Sequence, residues 1–156
     1  MKHGILTGIM MSCCLQSPAL LAGEYSVGIG VGHLYSGIGI NLTKHLNRSQ
    51  VYASLGCMAA ATHSGSNDIE TVCGMGLGYV STHLFSQSDK HGIGLSTGVY
   101  RNTDADENEY TLGPTYTFYA NGINNRGWSI GVMPYMSKVS GRDAEYEVLF
   151  NFGYQL

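Results

Sequence analysis

Charge is scarce in this chain. Asp, Glu, Lys and Arg make up only 12% of its 156 residues, and proline occurs 3 times. Disordered segments draw heavily on both, so a chain this poor in them is expected to fold. Long apolar runs are missing too, except near the N-terminus. No later stretch approaches the ~20 apolar residues that a membrane-spanning helix needs. Cysteine is limited to 4 residues, and two of these, Cys13 and Cys14, lie near the N-terminus. What the chain does have is 22 glycines and 11 tyrosines, at a mean hydropathy of -0.02.

The last residues, Glu145-Tyr-Glu-Val-Leu-Phe-Asn-Phe-Gly-Tyr-Gln-Leu156, show where those apolar residues go. Tyr146, Val148, Phe150, Phe152, Tyr154 and Leu156 share one face of an extended strand. Glu145, Glu147, Asn151, Gly153 and Gln155 share the other, with Leu149 the one breach. A period of two is the pleat of a β-strand. Oily residues on one face and small or polar ones on the other are what a strand needs between lipid and a barrel lumen.

The N-terminus agrees. Lys2 and His3 precede the apolar run Gly4–Leu15, and Pro18 and Ala19-Leu-Leu-Ala22 follow it. The order of basic start, short apolar run and small-residue exit is that of a secretory signal peptide cleaved after Ala22. Lipoprotein processing at Cys13 is the alternative. The expected organisation is a signal peptide over 1–22 and one β-barrel domain over 23–156.

Eight segments alternate along that domain: about 24–32, 36–45, 50–62, 69–83, 92–101, 110–120, 127–138 and 145–156. Turn-rich stretches separate them, among them Asn47-Arg-Ser49, Ser64–Asp68, Ser86–Lys90 and Asn121–Arg126. Asn102–Glu109 reads as the clearest loop. The expected fold is all-β, an eight-stranded antiparallel up-and-down transmembrane barrel. Closure removes the sheet edges that lipid would leave unsatisfied. A soluble eight-stranded barrel or sandwich is the competing fold, with the apolar face turned inside. Inward glycines such as Gly28, Gly30, Gly74, Gly76 and Gly78 would make room for Tyr52, Tyr100, Tyr119 and Tyr135 to fill the lumen. Pro114 and Pro134 fall mid-strand, where proline lacks a ladder donor, and bulges are expected there. Up-and-down order places Leu34, Gly65, Asp104–Glu109 and Gly141 at the extracellular end. Acidic residues then gather at that end, and Lys44, Arg48, Lys90 and Arg126 at the other.

Cys57 and Cys73 stand about equally far from Gly65, so a hairpin turning there would bring them face to face. In an oxidising compartment such a pair is expected to be a disulfide. Two free buried thiols are the alternative.

Catalytic candidates come from Ala61-Thr-His63-Ser-Gly-Ser66-Asn67-Asp-Ile-Glu70. A hydroxyl, an imidazole and a carboxylate can form a nucleophile, base and orienter. The stretch is similar to the His-x-Ser-Asn motif of outer-membrane lipid A deacylases, although two residues separate His63 from Ser66 here. That resemblance implies acyl-ester hydrolysis with Ser66 as nucleophile, His63 as base and Glu70 as orienter. A polar extracellular turn is the other reading of the same residues. Pro114, Pro134 and Leu95-Ser-Thr-Gly-Val99 are similar in kind to the lipid A palmitoyltransferase barrel, whose N-terminal amphipathic helix has no counterpart between Ala22 and Tyr25. His33, His45, His83 and His91 read as scattered rim histidines, since no three converge by spacing. Asp104, Asp106, Glu107 and Glu109 suggest weak, exposed association of a divalent cation, without a dedicated metal site. Gly28-Ile-Gly30-Val-Gly32 lacks the helix that a dinucleotide site requires. No cofactor and no nucleic-acid partner are expected.

Leu55-Gly-Cys57 and Cys73-Gly-Met-Gly-Leu-Gly-Tyr79 resemble a paired motif of uncharacterised proteobacterial barrels. The whole pattern resembles the small eight-stranded outer-membrane barrels, of which Ail-type adhesion proteins and lipid A enzymes are branches. The resemblance implies a monomer in the outer membrane of a Gram-negative cell, in contact with lipid and lipopolysaccharide. The barrel-assembly machinery would read Phe150, Phe152 and Tyr154 at a C-terminus that ends on Leu156 rather than an aromatic residue. The expected role is structural or surface-interacting and non-enzymatic. The alternative is a lipid A-modifying acyl hydrolase with its Ser/His pair at the extracellular rim.

Overall fold

The computed structural model describes residues 24–61, 69–84, 87–102, 107–139 and 141–156. The leader expected over 1–22 lies outside the described residues. Eight strands form: β1 (Tyr25–Gly32), β2 (Gly37–Leu46), β3 (Ser49–Ala61), β4 (Ile69–Ser81), β5 (His91–Asn102), β6 (Glu107–Tyr119), β7 (Gly127–Val139) and β8 (Glu145–Gln155). Each pairs antiparallel with its sequence neighbours, and β8 returns to pair with β1, which closes the sheet into a barrel. Among the described residues the fold is all-β apart from one 3-10 turn, His33–Tyr35.

Alternation decides the two faces as the sequence suggests. On β6, Thr111, Gly113, Thr115, Thr117 and Tyr119 are buried while Tyr110, Leu112, Pro114 and Tyr116 are exposed. On β8 the outward row is Tyr146, Val148, Phe150 and Phe152. Side chains of opposite parity point to opposite faces, so the closed sheet has an apolar outside and a lumen of small, polar and tyrosine residues. Tyr52, Tyr100, Tyr119 and Tyr135 do fill the lumen.

The β1–β2 connection departs from expectation. Leu34 was expected in an extracellular turn; instead, residues 33–36 fold back into the lumen. Leu34 and Tyr35 are fully buried, in a cluster with Tyr52, Val80, Tyr119 and Ile123. His33 is likewise buried rather than at the rim, with Nε2 2.6 Å from the Thr115 hydroxyl on β6. The reason lies in the glycines opposite. A Cβ on Gly30 or Gly153 would stand 2.6 or 2.3 Å from the Tyr35 phenol, and one on Gly39 or Gly56 would meet the Tyr35 carbonyl. Four strands thus leave one layer of the lumen empty, and the connection fills it. Gly32 and Gly37, with φ of 97° and 111°, make the reversal that glycine tolerates.

The prolines require no bulge, contrary to the sequence reading. β6 and β7 pair from Glu109↔Val139 to Leu112↔Met136 and again from Tyr116↔Val132 to Tyr119↔Ser129, in one unbroken register. Pro114 and Pro134 face each other in the gap. Neither has an N–H, so both missing donors fall at one place. On their other sides each keeps its partner, Leu95 for Pro114 and Val148 for Pro134.

The expected Cys57–Cys73 disulfide is present. The two residues face each other directly across β3 and β4, with Cα atoms 4.0 Å apart. It bridges a sequence separation of 16, a loop whose cross-linking is worth about 3 kcal/mol at most. Facing pairs from Ser49↔Ser81 to Gly56↔Gly74 hold the same hairpin independently of the bridge. Changing both Cys57 and Cys73 to Ser is therefore expected to lower the unfolding free energy by no more than about 3 kcal/mol and to leave the barrel closed. Urea unfolding followed by circular dichroism reads both quantities.

Candidate functional site at the barrel mouth

The two ends of the barrel differ. At the end carrying the termini, Ile123 is buried and its N–H bonds the Asp89 carbonyl, while Gln50 Nε2 bonds the Tyr119 hydroxyl at 2.6 Å. Connections and side chains close that end. At the opposite end a hollow of about 340 Å³ opens between β3, β4, β5, β6, β7 and β8. Tyr100, Tyr135, Glu109, Glu145 and Glu147 supply its polar wall, and Met58, Val72, Val139 and Leu149 its apolar wall.

Strand parity sets this lining. Glu107 and Glu109 precede the buried row of β6 and share its face. Glu145 and Glu147 stand in the same relation to Asn151 and Gly153 on β8. The Tyr135 hydroxyl donates to the Glu147 carboxylate across β7 and β8. Arg142 places Nη2 3.0 Å from both Glu107 carboxylate oxygens. That pair is largely exposed, so it orders the rim more than it stabilises the fold. No group of three or more His, Cys, Asp or Glu residues is arranged to hold a metal ion among the described residues.

Below the mouth the lumen is hydrogen-bonded in layers. Tyr52 donates to Ser96 at 2.7 Å, and the Ser36 and Ser54 hydroxyls lie 2.8 Å apart. Asn151 and Thr117 turn buried polar atoms toward Gly131 without a protein partner.

The expected catalytic set is only partly in view. His63 and Ser66 lie outside the described residues. Glu70 belongs to β4, where its backbone pairs with Ala60. Asp104 and Asp106 also lie outside the described residues. Glu107 and Glu109 were expected in a loop, but they belong to β6, and Asn102↔Glu107 is the first facing pair of the β5–β6 ladder. A carboxylate at a barrel mouth stays solvated while its backbone remains in the ladder, so polar composition placed the start of β6 too late, at about Tyr110 instead of Glu107. His45, His83 and His91 do not converge. His45 Nε2 meets Ser26 Oγ at 2.6 Å, and His91 Nδ1 meets Tyr116 Oη at 2.8 Å. The Gly28–Gly32 run is followed by a 3-10 turn that lies inside the barrel, and no phosphate-binding helix is formed.

No family model, no curated protein and no solved structure matches the chain.

Sequence reading missed the Tyr135–Glu147 pair and the inward turn at His33. The first has a signal in retrospect, since both residues are on the lumen face by parity and β7 and β8 are adjacent. The second has one in the glycines that share a layer on four different strands.

Proposed function

We propose that this protein is a small outer-membrane β-barrel that crosses the bilayer with its eight strands, in a structural or surface-interacting, non-enzymatic role. The observation that carries this reading is the chemistry of the outward face. Ile38, Leu55, Met75, Leu77, Leu95, Ile130, Phe150 and Phe152 each expose half or more of their surface. Soluble monomers rarely expose a contiguous apolar patch beyond a few hundred Å². Here the exposed residues encircle the sheet, while serine, threonine, asparagine and glycine line the inside.

The placement of charge supports the same reading. Among the described strand side chains, the outward Lys and Arg residues are Lys44, Arg101 and Lys138, each close to a strand end. None of the described outward strand side chains is a carboxylate. Long cationic side chains at those depths can reach lipid phosphates while their stems lie along apolar surface. Lys44 Nζ lies 5.5 Å from the centroid of the Tyr25 ring. Outward aromatics gather toward both ends. Trp128 stacks on Phe152 with centroids 5.1 Å apart and meets the Tyr154 ring at 4.9 Å. Tyr110 and Tyr146 are exposed toward the opposite end. Such girdles are where Trp and Tyr settle at a membrane interface. Closure of the ladder satisfies the backbone in hydrocarbon. With the termini on the periplasmic side, the acidic mouth faces the cell surface and its lipopolysaccharide. The buried Leu34–Tyr35 segment makes the lumen a packed interior rather than a pore.

Leu55→Arg separates the membrane reading from a soluble barrel. Leu55 sits mid-strand on β3 and is 58% exposed. In a bilayer the change is expected to cost about 2–4 kcal/mol. On a water-exposed surface it would stay within about 0.5 kcal/mol. Refolding the two proteins into phosphatidylcholine vesicles, with unfolding followed by heat-dependent gel migration, gives the difference. A change near zero, or a parent protein that stays folded and monomeric in detergent-free buffer, would overturn the membrane reading.

A further inference from the structure

A hollow and a cation meet at one place on the outward face. The hollow, of about 370 Å³, lies over β6, β7 and β8 and is lined by Leu112, Pro114, Pro134, Met136, Tyr146 and Val148. Its floor is one row of low side chains. Pro114 and Pro134 face each other, and Val148 faces Pro134 on β8. Larger side chains stand on either side: Leu112, Met136 and Tyr146 toward the mouth, Tyr116 and Phe150 toward the termini. Tyr135 and Glu147 border the hollow from beneath. Their side chains meet each other on the inner face, so the hollow ends on the sheet.

The cation stands at the head of that hollow. Tyr110↔Lys138 is the next outward pair beyond Leu112↔Met136, about 7 Å along the strands toward the mouth. Of the outward strand cations, Lys44 lies over the Tyr25 ring and Arg101 already has a partner. Lys138 is exposed, and its ammonium has no partner among the described residues. The hydroxyls of the exposed Tyr110 and Tyr146 are likewise unengaged among them. No described outward strand side chain is a carboxylate that could balance the charge. An apolar hollow headed by one unbalanced cation and two phenols fits an alkyl chain with an anionic head.

We propose that this face docks one anionic, phosphate-headed lipid, with an acyl chain in the hollow and the phosphate at Lys138. The site rests on the membrane-spanning reading, since both parts of the lipid come from the bilayer. The Lys138 ammonium offers a phosphate three donors, and the Tyr110 and Tyr146 hydroxyls add one each. From there the chain runs over Met136 onto the two prolines and Val148, where larger side chains would leave it no room. A second copy of this chain is a poorer occupant. Copies in one bilayer are related by an axis along its normal. A two-fold contact here would therefore bring two Lys138 ammoniums together at one depth.

The test uses the full chain folded in phosphatidylcholine vesicles doped with phosphatidic acid that carries a diazirine midway along one acyl chain. Phosphatidylcholine with the same labelled chain is the comparison, its head carrying no net charge. After photolysis, peptides bearing Met136 and Val148 are mapped by mass spectrometry. They are expected to carry about fivefold more label from the anionic probe than from the neutral one. Lys138→Gln should bring that ratio near one, and Lys138→Arg should keep it. Label on Leu55 and Leu77, in a second outer hollow over β2 to β5, should be the same in the parent and Lys138→Gln proteins. Val148→Trp fills the hollow and should remove the excess label at Met136. If that variant does not fold, the exposed Lys138 substitutions carry the test. A ratio near one in the parent, a ratio unchanged in Lys138→Gln, or an equal loss at both hollows would overturn the site and leave the membrane reading intact. So would an amine-reactive cross-link joining Lys138 of two copies. A parent protein that does not fold into vesicles at all would remove both.

Discussion

A backbone N–H or C=O cannot be left without a partner in an apolar medium, and a sheet satisfies its groups only if it has no edge. The β8-to-β1 ladder closes this sheet. Once it is closed, pleating permits only two directions for a side chain, and every other feature follows from that division. The outside becomes a band of Ile, Leu, Val, Met and aromatic residues. The inside receives what remains, and it is narrow, so small residues dominate it. The strand carboxylates with described side chains, Glu107, Glu109, Glu145 and Glu147, all fall on the inner face, which is why the mouth is acidic while the outer surface is not.

The lumen shows how volume is balanced within that limit. Glycine on four strands opens a layer, and Tyr35 occupies it, its ring against Gly30 and Gly153 and its carbonyl against Gly39 and Gly56. Tyrosine suits this task because its ring fills space and its hydroxyl can find a partner across the barrel. Tyr52 does so with Ser96, and Tyr135 with Glu147. An interruption of the β6–β7 ladder, at Pro114 and Pro134, falls beside that last pair. The two prolines remove two N–H donors, but at one place, so the pairing on either side keeps its register.

Much of this was legible in the sequence. Residues Tyr146 to Phe152 betrayed the period of two, and strict alternation fixed the faces of all eight strands. The Cys57–Cys73 pairing was readable because hairpin symmetry is local. Strand ends were less so: Glu107 and Asn102 look like loop residues because polarity is tolerated at a mouth. The inward turn at His33 was not legible, because it depends on Gly153 and Thr115, distant in sequence and brought near only by closure. The proline seam was hidden for the same reason, since Pro114 and Pro134 are harmless together only in a particular register. Catalytic expectation at His63, Ser66 and Glu70 came from residue chemistry and motif likeness, and their side chains lie outside the described ones.

The buried 3-10 turn also ties distant parts of the chain to the closure of the wall. Tyr35 packs on Gly30 and Gly153, and His33 reaches Thr115, 82 positions along the chain. Contacts of that span exist only when the sheet has curled, so the plug and the closure depend on each other. The β1–β8 ladder is the shortest of the eight, with pairs only from Gly28↔Gln155 to Val31↔Phe152. It closes the longest loop of the fold, which carries the largest entropic cost, and Tyr35 adds burial at that joint, against β1 and β8 together.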